Sequence, residues 1–232
     1  MTMAYFRFFG RLNDFLPRDQ REQAVPVKFR GRQSIKHLVE SLGVPHPEIG
    51  QVQVNDQEGA LSAITEDGDH IQVHPVPNGY PADPRFILDN HLGRLAAYLR
   101  MLGFDCLYRN DYQDEELAET AEQEGRILLS RDRRLLMRNA VRYGYCLRSL
   151  DSLEQLMEVI RRFDLASRVT PFHRCLRCNH PLEPVAKEAV LDRLEPLTRL
   201  FFDEFQICPA CKQIYWKGSH YEKMQKLIEE IL

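Results

Sequence analysis

The chain has 232 residues, of which 44% are hydrophobic and 28% are charged, a composition that excludes disorder as its main state. Lysine and arginine total 31 against 34 aspartate and glutamate residues, and the formal net charge of -3 excludes a simple polycation that coats nucleic acid. The sequence has no apolar run of the roughly 18 residues that a membrane span needs, and its start lacks the pattern of a secretory signal. We therefore expect a cytoplasmic protein without a membrane partner.

Residues 1–78 predict a small mixed sheet covered by one helix. Alternating or β-branched runs at 4–9 and 24–29 predict two strands, and shorter runs at 51–54 and 70–73 predict two more. Between the two pairs, apolar residues at helical spacing follow Ser34, a suitable N-cap. The order is strand, strand, helix, strand, strand.

Prolines at 75, 77, 81 and 84 break both helix and sheet, so we expect a domain boundary there. Residues 85–165 then alternate between the two kinds of element. Strands are predicted at 86–88, 104–108, 126–130 and 145–147, and helices at 92–102, 114–124, 135–143 and 152–163. Such alternation predicts an α/β domain, a parallel sheet with helices on both faces.

Four of the six cysteines form two C-x-x-C pairs in residues 171–232, a segment that ends in an amphipathic helix at 221–232. Four thiolates suit a closed, tetrahedral, structural zinc site, as in a zinc ribbon. A redox dithiol is the alternative, and the second pair argues against it. The predicted zinc ligands are Cys175, Cys178, Cys208 and Cys211. The isolated Cys106 and Cys146 are expected to be buried thiols.

Acidic residues follow two of the predicted parallel strands. Asp89 comes directly after the first, and Asp132 follows the third. Further acids, Asp111, Asp114 and Glu116, surround the start of the helix at 114–124. Ligands of open parallel sheets bind outside the carboxyl ends of the strands, and Mg²⁺ or Mn²⁺ prefers carboxylate oxygens there. Helix capping is the alternative explanation for Asp89 and Asp114.

Residues 86–150 contain ten arginines and no lysine. Because arginine binds phosphate oxygens bidentately, an acidic cluster beside these arginines favours a metal-dependent nuclease over a solvated basic helix face. The candidate substrate-binding residues are Arg94, Arg131, Arg133, Arg134 and Trp216, the last by stacking on a base. Core packing is the alternative role for the tryptophan.

Several motifs occur together in a recognisable order. They are FILDNHLGRLAAYLR at 86–100, LGFD at 102–105, GRILLSRD at 125–132, RCLRCN at 174–179 and IYWKGSH at 214–220. This series resembles the Mut-seven C-terminal RNase family, which implies a PIN-like nuclease core followed by a zinc ribbon. Residues 1–78 resemble the ubiquitin-like β-grasp domain that precedes this nuclease in many bacterial members. They lack the terminal Gly-Gly of sulfur carriers, so the resemblance does not support thiocarboxylate transfer.

The resemblance and the residues together predict a metal-dependent endoribonuclease. Asp89 and Asp132 are expected to ligate Mg²⁺ or Mn²⁺, with the third acid open among Asp111, Asp114 and Glu116. Two other functions remain open at this point. One is a non-catalytic RNA-binding module, and the other is an adaptor whose β-grasp domain docks onto a protein partner.

Overall fold

A computed structural model describes residues 2–232 of the chain. The chain divides into two compact units. The first unit contains Met1–Asp83 and Gln113–Arg148, and the second contains Pro84–Tyr112 and Ser149–Leu232. The first unit therefore joins the N-terminal region to a later segment. The predicted division into domains at 1–78, 85–165 and 171–232 stays a prediction.

The N-terminal part of the first unit is a five-stranded β-grasp sheet with one helix. Its elements are β1 (Thr2–Phe8), β2 (Ala24–Phe29), α1 (Ile35–Ser41), β3 (Ile49–Val54), β4 (Gln57–Gly59) and β5 (His70–Pro75). The strand order is β2-β1-β5-β3-β4, with β1 and β5 parallel. Ser34 caps α1 as predicted, accepting a hydrogen bond from the His37 amide at 3.2 Å. The pattern missed β4 because Gln57–Gly59 contains no apolar side chain.

The next part of the chain alternates strands and helices, as predicted. Its elements are β6 (Phe86–Leu88), α2 (Gly93–Met101), β7 (Cys106–Leu107), α3 (Asp114–Glu124), β8 (Ile127–Ser130), α4 (Arg133–Leu136), β9 (Gly144–Cys146) and α5 (Ser152–Phe163). In the second unit β6 pairs in parallel with β7, and in the first unit β8 pairs in parallel with β9. These pairings confirm the predicted parallel α/β architecture.

Helix α4 is shorter than the predicted helix at 135–143, which is wrong in extent. Leu136 and Val141 are both fully buried. On one continuous helix they would lie roughly 140° apart, so a single helix could not point both side chains into the same core. The helix instead ends before Met137, whose backbone N–H donates hydrogen bonds to the carbonyls of Arg133 and Arg134.

The end of the second unit is a small antiparallel ribbon with its own core. Its elements are β10 (Glu183–Val185), α6 (Pro196–Phe201), β11 (Phe205–Ile207), β12 (Ile214–Trp216) and α7 (Ser219–Ile231). The strand order is β10-β11-β12, and the ribbon core contains Val190, Leu194, Phe205 and Ile214. Within residues 2–232, no helix is both long and apolar enough to cross a membrane.

Candidate functional site

The four predicted zinc ligands are brought together in the second unit. The sulfur atoms of Cys175, Cys178, Cys208 and Cys211 all lie within 4.8 Å of one another. Cys175 Sγ lies 3.5 Å from Cys211 Sγ, and Cys178 Sγ lies 3.3 Å from Cys208 Sγ. Tetrahedral zinc with bonds of about 2.3 Å requires sulfurs about 3.8 Å apart. The cluster can therefore hold a metal ion of this size and softness.

Tyr215 supports this cluster from β12. Its hydroxyl lies 3.1 Å from Cys175 Sγ and also accepts a hydrogen bond from the Leu176 amide at 3.1 Å. Burial acts to raise the pKa of the Cys175 thiol, but the hydrogen bond with Tyr215 and nearby backbone N–H groups lower it to about 7. Cys175 is therefore easily deprotonated, which is the form that a metal requires.

Arg100 connects the first cysteine pair to the strands of the second unit. Its buried guanidinium donates to the Cys106 carbonyl at 2.9 Å and to the Leu176 and Arg177 carbonyls at 3.1 and 3.0 Å. Gly103, which follows α2, has φ of 95°, and a Cβ there would collide with the Thr170 carbonyl. Thr170, which precedes the first cysteine pair in the chain, therefore packs directly against the end of α2.

Asp89 lies directly after β6 and is largely buried. Its side chain is 14% exposed, and Oδ1 accepts a hydrogen bond from the His91 amide at 3.3 Å. Nδ1 of the exposed His91 ring lies 3.1 Å from the same oxygen. Asp89 thus follows the carboxyl end of a parallel strand, as predicted, and shares its carboxylate with an imidazole that the sequence analysis did not single out.

Asp132 follows β8 and is the N-cap of α4. Its Oδ1 accepts hydrogen bonds from the amides of Arg134 at 2.7 Å and Leu135 at 3.4 Å. Its own amide donates to Ser130 Oγ at 2.9 Å. Both capping bonds fall on Oδ1, so Asp132 can cap the helix and still offer Oδ2 to a cation.

The three candidates for the third acid differ in their surroundings. Asp111 is exposed and accepts two hydrogen bonds from Arg109, at 2.9 and 3.1 Å, which lower the pKa of its carboxyl group. Asp114 and Glu116 lie in the first turn of α3. Asp89 and Asp111 belong to the second unit, and Asp114, Glu116 and Asp132 belong to the first.

The predicted substrate-binding arginines fall into two groups. Arg94, Arg131 and Arg134 are exposed and can meet a phosphate. Arg133 is exposed as well, but its Nη1 donates to the Phe15 carbonyl at 3.2 Å and its guanidinium lies 5.0 Å from the centre of the Phe15 ring. Arg133 therefore already has partners in the N-terminal part of its own unit.

Trp216 lines a groove of about 560 Å³ in the second unit. The groove has mostly apolar walls and includes the aromatic side chains of Phe172, Tyr215, Trp216 and Tyr221. Lys217 also lines it and is paired with Glu204 at 2.9 Å. Trp216 is 38% exposed, and its ring lies 6.5 Å from that of Phe205, so it both packs on the ribbon and presents a face to the groove.

Sequence reasoning missed three residues that support the site. Arg100 is one of the ten arginines of residues 86–150 and was given no role of its own, but it is an internal hydrogen-bond donor. Its place among the apolar residues of α2 could have indicated this. Asn179 follows the first cysteine pair and is buried, and no periodicity marks it. His91 could have been found from its position two residues after Asp89.

Two family models match the chain. The Mut7-C RNAse domain matches residues 84–228, and the Mut7-C ubiquitin domain matches residues 1–80. These matches confirm the predicted ubiquitin-like domain and the predicted nuclease-family region. No solved structure matches the chain.

A human protein named exonuclease mut-7 homolog is similar to part of the chain. The two are 38% identical over 146 residues, which is 60% of this chain and 14% of the human protein. The similarity therefore concerns a small portion of that protein, and most of the human protein has no counterpart here.

Proposed function

The chain belongs to the Mut7-C RNase domain family, and from that premise we propose that it is a metal-dependent endoribonuclease. The observation that carries the proposal is the placement of two aspartates directly beyond parallel strands. Asp89 follows β6 by one residue, and Asp132 follows β8 by two. Ligands of parallel sheets bind at this end of the strands.

Asp89 and Asp132 would hold Mg²⁺ or Mn²⁺, with one of Asp111, Asp114 or Glu116 as a third ligand. Their carboxylates are the hard oxygen donors that these cations prefer. When bound, the cation supplies an activated water and stabilises charge on the leaving oxygen of a phosphodiester. The carboxylates of this chain would hold the cation in place. In Asp132 the ligand atom would be Oδ2, because the capping hydrogen bonds are both made to Oδ1.

The exposed arginines would hold the RNA backbone. Arg94, Arg131 and Arg134 can each donate two parallel hydrogen bonds to a phosphate, which positions the scissile bond. Trp216 would stack on an unpaired base in the groove of the ribbon. We assign zinc to the four cysteines as a structural ion, because all four ligand positions are filled by the protein.

Exonucleolytic cleavage is the second candidate, and the name of the human relative, exonuclease mut-7 homolog, favours it. A circular single-stranded RNA separates the two, because it has no end from which an exonuclease could begin. We expect the purified protein to linearise the circle in Mn²⁺ and not in EDTA. Digestion of linear RNA but not of circular RNA would contradict our proposal and favour an exonuclease.

Three variants complete this experiment. Asp89→Asn and Asp132→Asn should each lower kcat by about 100-fold or more, since each removes a charged group that acts at the reacting centre. Asp151→Asn is the matched control, because Asp151 caps α5 at the surface and asparagine caps equally well. RNA binding without cleavage by the wild type would favour a non-catalytic binding module.

A further inference from the structure

Phe15 of the β-grasp region contacts two arginines of the segment 113–148. The guanidinium of Arg133 lies 5.0 Å from the centre of its ring, and that of Arg148 lies 4.6 Å from it. Both distances are within the range of a cation–π contact. The Phe15 carbonyl also accepts a hydrogen bond from Arg133 Nη1. One buried residue of the β-grasp region thus holds two residues of the nuclease segment.

Glu48 makes a second connection. Its side chain is 1% exposed, and Oε1 accepts hydrogen bonds from the Cys146 amide at 2.8 Å and from Arg148 Nη1 at 2.9 Å. Arg11 Nε lies 3.4 Å from Oε2. A buried carboxylate is costly unless it is paired and hydrogen-bonded, and these donors meet that requirement. Glu48 therefore fixes the end of β9 to the β-grasp region.

A third set of contacts joins the β-grasp region to the residues between α4 and β9. His46 Nε2 is 2.9 Å from the Val141 carbonyl oxygen, and Lys36 Nζ donates to Asn139 Oδ1 at 2.7 Å. The β-grasp region therefore contacts the segment from Arg133 to Arg148, which includes α4 and β9, at several points along its length.

The contacts of Arg133 fall directly beside the residue that caps α4. Asp132 is the N-cap of a helix of four residues, and Arg133 is the first residue of that helix. An isolated helix of this length is unstable in water, so its position depends on what packs against it. The β-grasp region supplies that packing at the same turn that presents the Asp132 carboxylate.

We propose that the β-grasp domain is a positioning element of the nuclease, in which Phe15 and Glu48 hold α4 and β9 so that Asp132 is presented in one orientation. The proposal rests on the proposed function, because it assigns Asp132 to the reacting centre. Phe15 and Glu48 are positioning residues, since they act through Arg133, Arg148 and the Cys146 amide. A domain that serves only to dock a protein partner would have no such effect on cleavage.

Steady-state cleavage of RNA by the full chain tests this proposal. Phe15→Leu removes the ring but leaves an apolar side chain of similar size, and we expect kcat to fall by about 10- to 100-fold with little change in KM. Phe15→Tyr keeps the aromatic ring, and its kcat should equal that of the wild type. Phe9→Leu is the matched control, because the Phe9 ring stacks on that of His74, with 4.2 Å between the ring centres, inside the β-grasp region itself.

Hydrogen exchange provides a readout that is independent of activity and of overall folding. The amides of Arg134 and Leu135 donate to Asp132 Oδ1, so they report on the cap directly. We expect Phe15→Leu and Glu48→Gln to speed exchange of these two amides by about tenfold, with unchanged protection in β1 and β5. A variant that unfolds as a whole would lose protection in all of these strands and would argue against selective positioning.

The outcomes separate the two proposals. Wild-type protein that cleaves no RNA overturns the proposed function and the positioning role with it. Wild-type protein that cleaves RNA, with Phe15→Leu equal to wild type or no more impaired than Phe9→Leu, overturns the positioning role and leaves the nuclease standing.

Discussion

Asn179 donates a hydrogen bond from its side-chain amide to the Asp105 carboxylate at 2.9 Å. Its side-chain oxygen accepts a second one, from the Cys106 amide, also at 2.9 Å. Asn179 directly follows the first cysteine pair, and Cys106 begins β7. One side chain therefore joins the four-cysteine segment to the parallel strands of the second unit, and Asp105 has a structural partner.

Replacing Asn179 should destabilise the second unit. Asn179 is 6% exposed, so Asn179→Ala leaves the buried Cys106 amide without its acceptor. The φ of Asn179 is 72°, a left-handed conformation that alanine adopts less readily than asparagine. We expect a loss of about 2–3 kcal/mol in the free energy of unfolding, measured by urea denaturation of the zinc-loaded protein. The exposed neighbour His180 provides the control, because His180→Ala should change the free energy of unfolding by less than about 0.5 kcal/mol. Equal losses in the two variants would contradict the linking role of Asn179.

Zinc removal should disorder the ribbon. We expect atomic emission spectroscopy to find one zinc ion per chain in the wild type. The Cys208→Ser variant should contain no zinc, because a serine hydroxyl is a poor ligand for this ion. The fluorescence of Trp216 should then shift to longer wavelength, since this single tryptophan of the chain follows Tyr215, which contacts the cluster, in β12. Cys146→Ala, which removes a buried thiol outside the cluster, should keep its zinc. Loss of zinc from this control, or its retention in Cys208→Ser, would argue against the four-cysteine site.

Arg109 offers a way to identify the third acid. Its hydrogen bonds lower the pKa of the Asp111 carboxyl group, so this carboxylate is ionised near neutrality and cleavage should not titrate with it there. Arg109→Gln releases Asp111 from its two hydrogen bonds. If Asp111 is the ligand, the Mn²⁺ concentration for half-maximal cleavage should fall. An unchanged Mn²⁺ requirement would move the assignment to Asp114 or Glu116, to be tested with Asp114→Asn and Glu116→Gln.

Fluorescence of Trp216 tests the groove without cleavage. In EDTA, a single-stranded oligonucleotide should quench its emission, because a base stacks on the exposed face of the ring. A duplex of the same sequence should not, since its bases are already paired and stacked. Lys217→Gln should weaken the quenching by removing a cation from the groove wall. Equal quenching by duplex and single strand would show that the groove does not select unpaired bases.

Much of the architecture could be predicted from the pattern of apolar residues. Strand β2 and helices α3 and α5 have the predicted bounds, because each is a regular element with one face in the core. The cysteine pairs were equally predictable, since their spacing directly reflects the geometry of a tetrahedral ion. Helix α4 was not, because its end is decided by the burial of Val141 in a core whose other members are distant in sequence.

By itself, the sequence determined the order of elements, the four cysteines and the aspartates that follow β6 and β8. These are local properties, set by periodicity and by the chemistry of each residue type. Only the tertiary structure decided that Arg100 and Asn179 bind the ribbon to the parallel strands, and that Phe15 and Glu48 hold the segment that carries Asp132. Such hydrogen bonds join residues far apart in the chain, and their partners are chosen by burial, because a buried polar group must find a donor or acceptor wherever the fold places one.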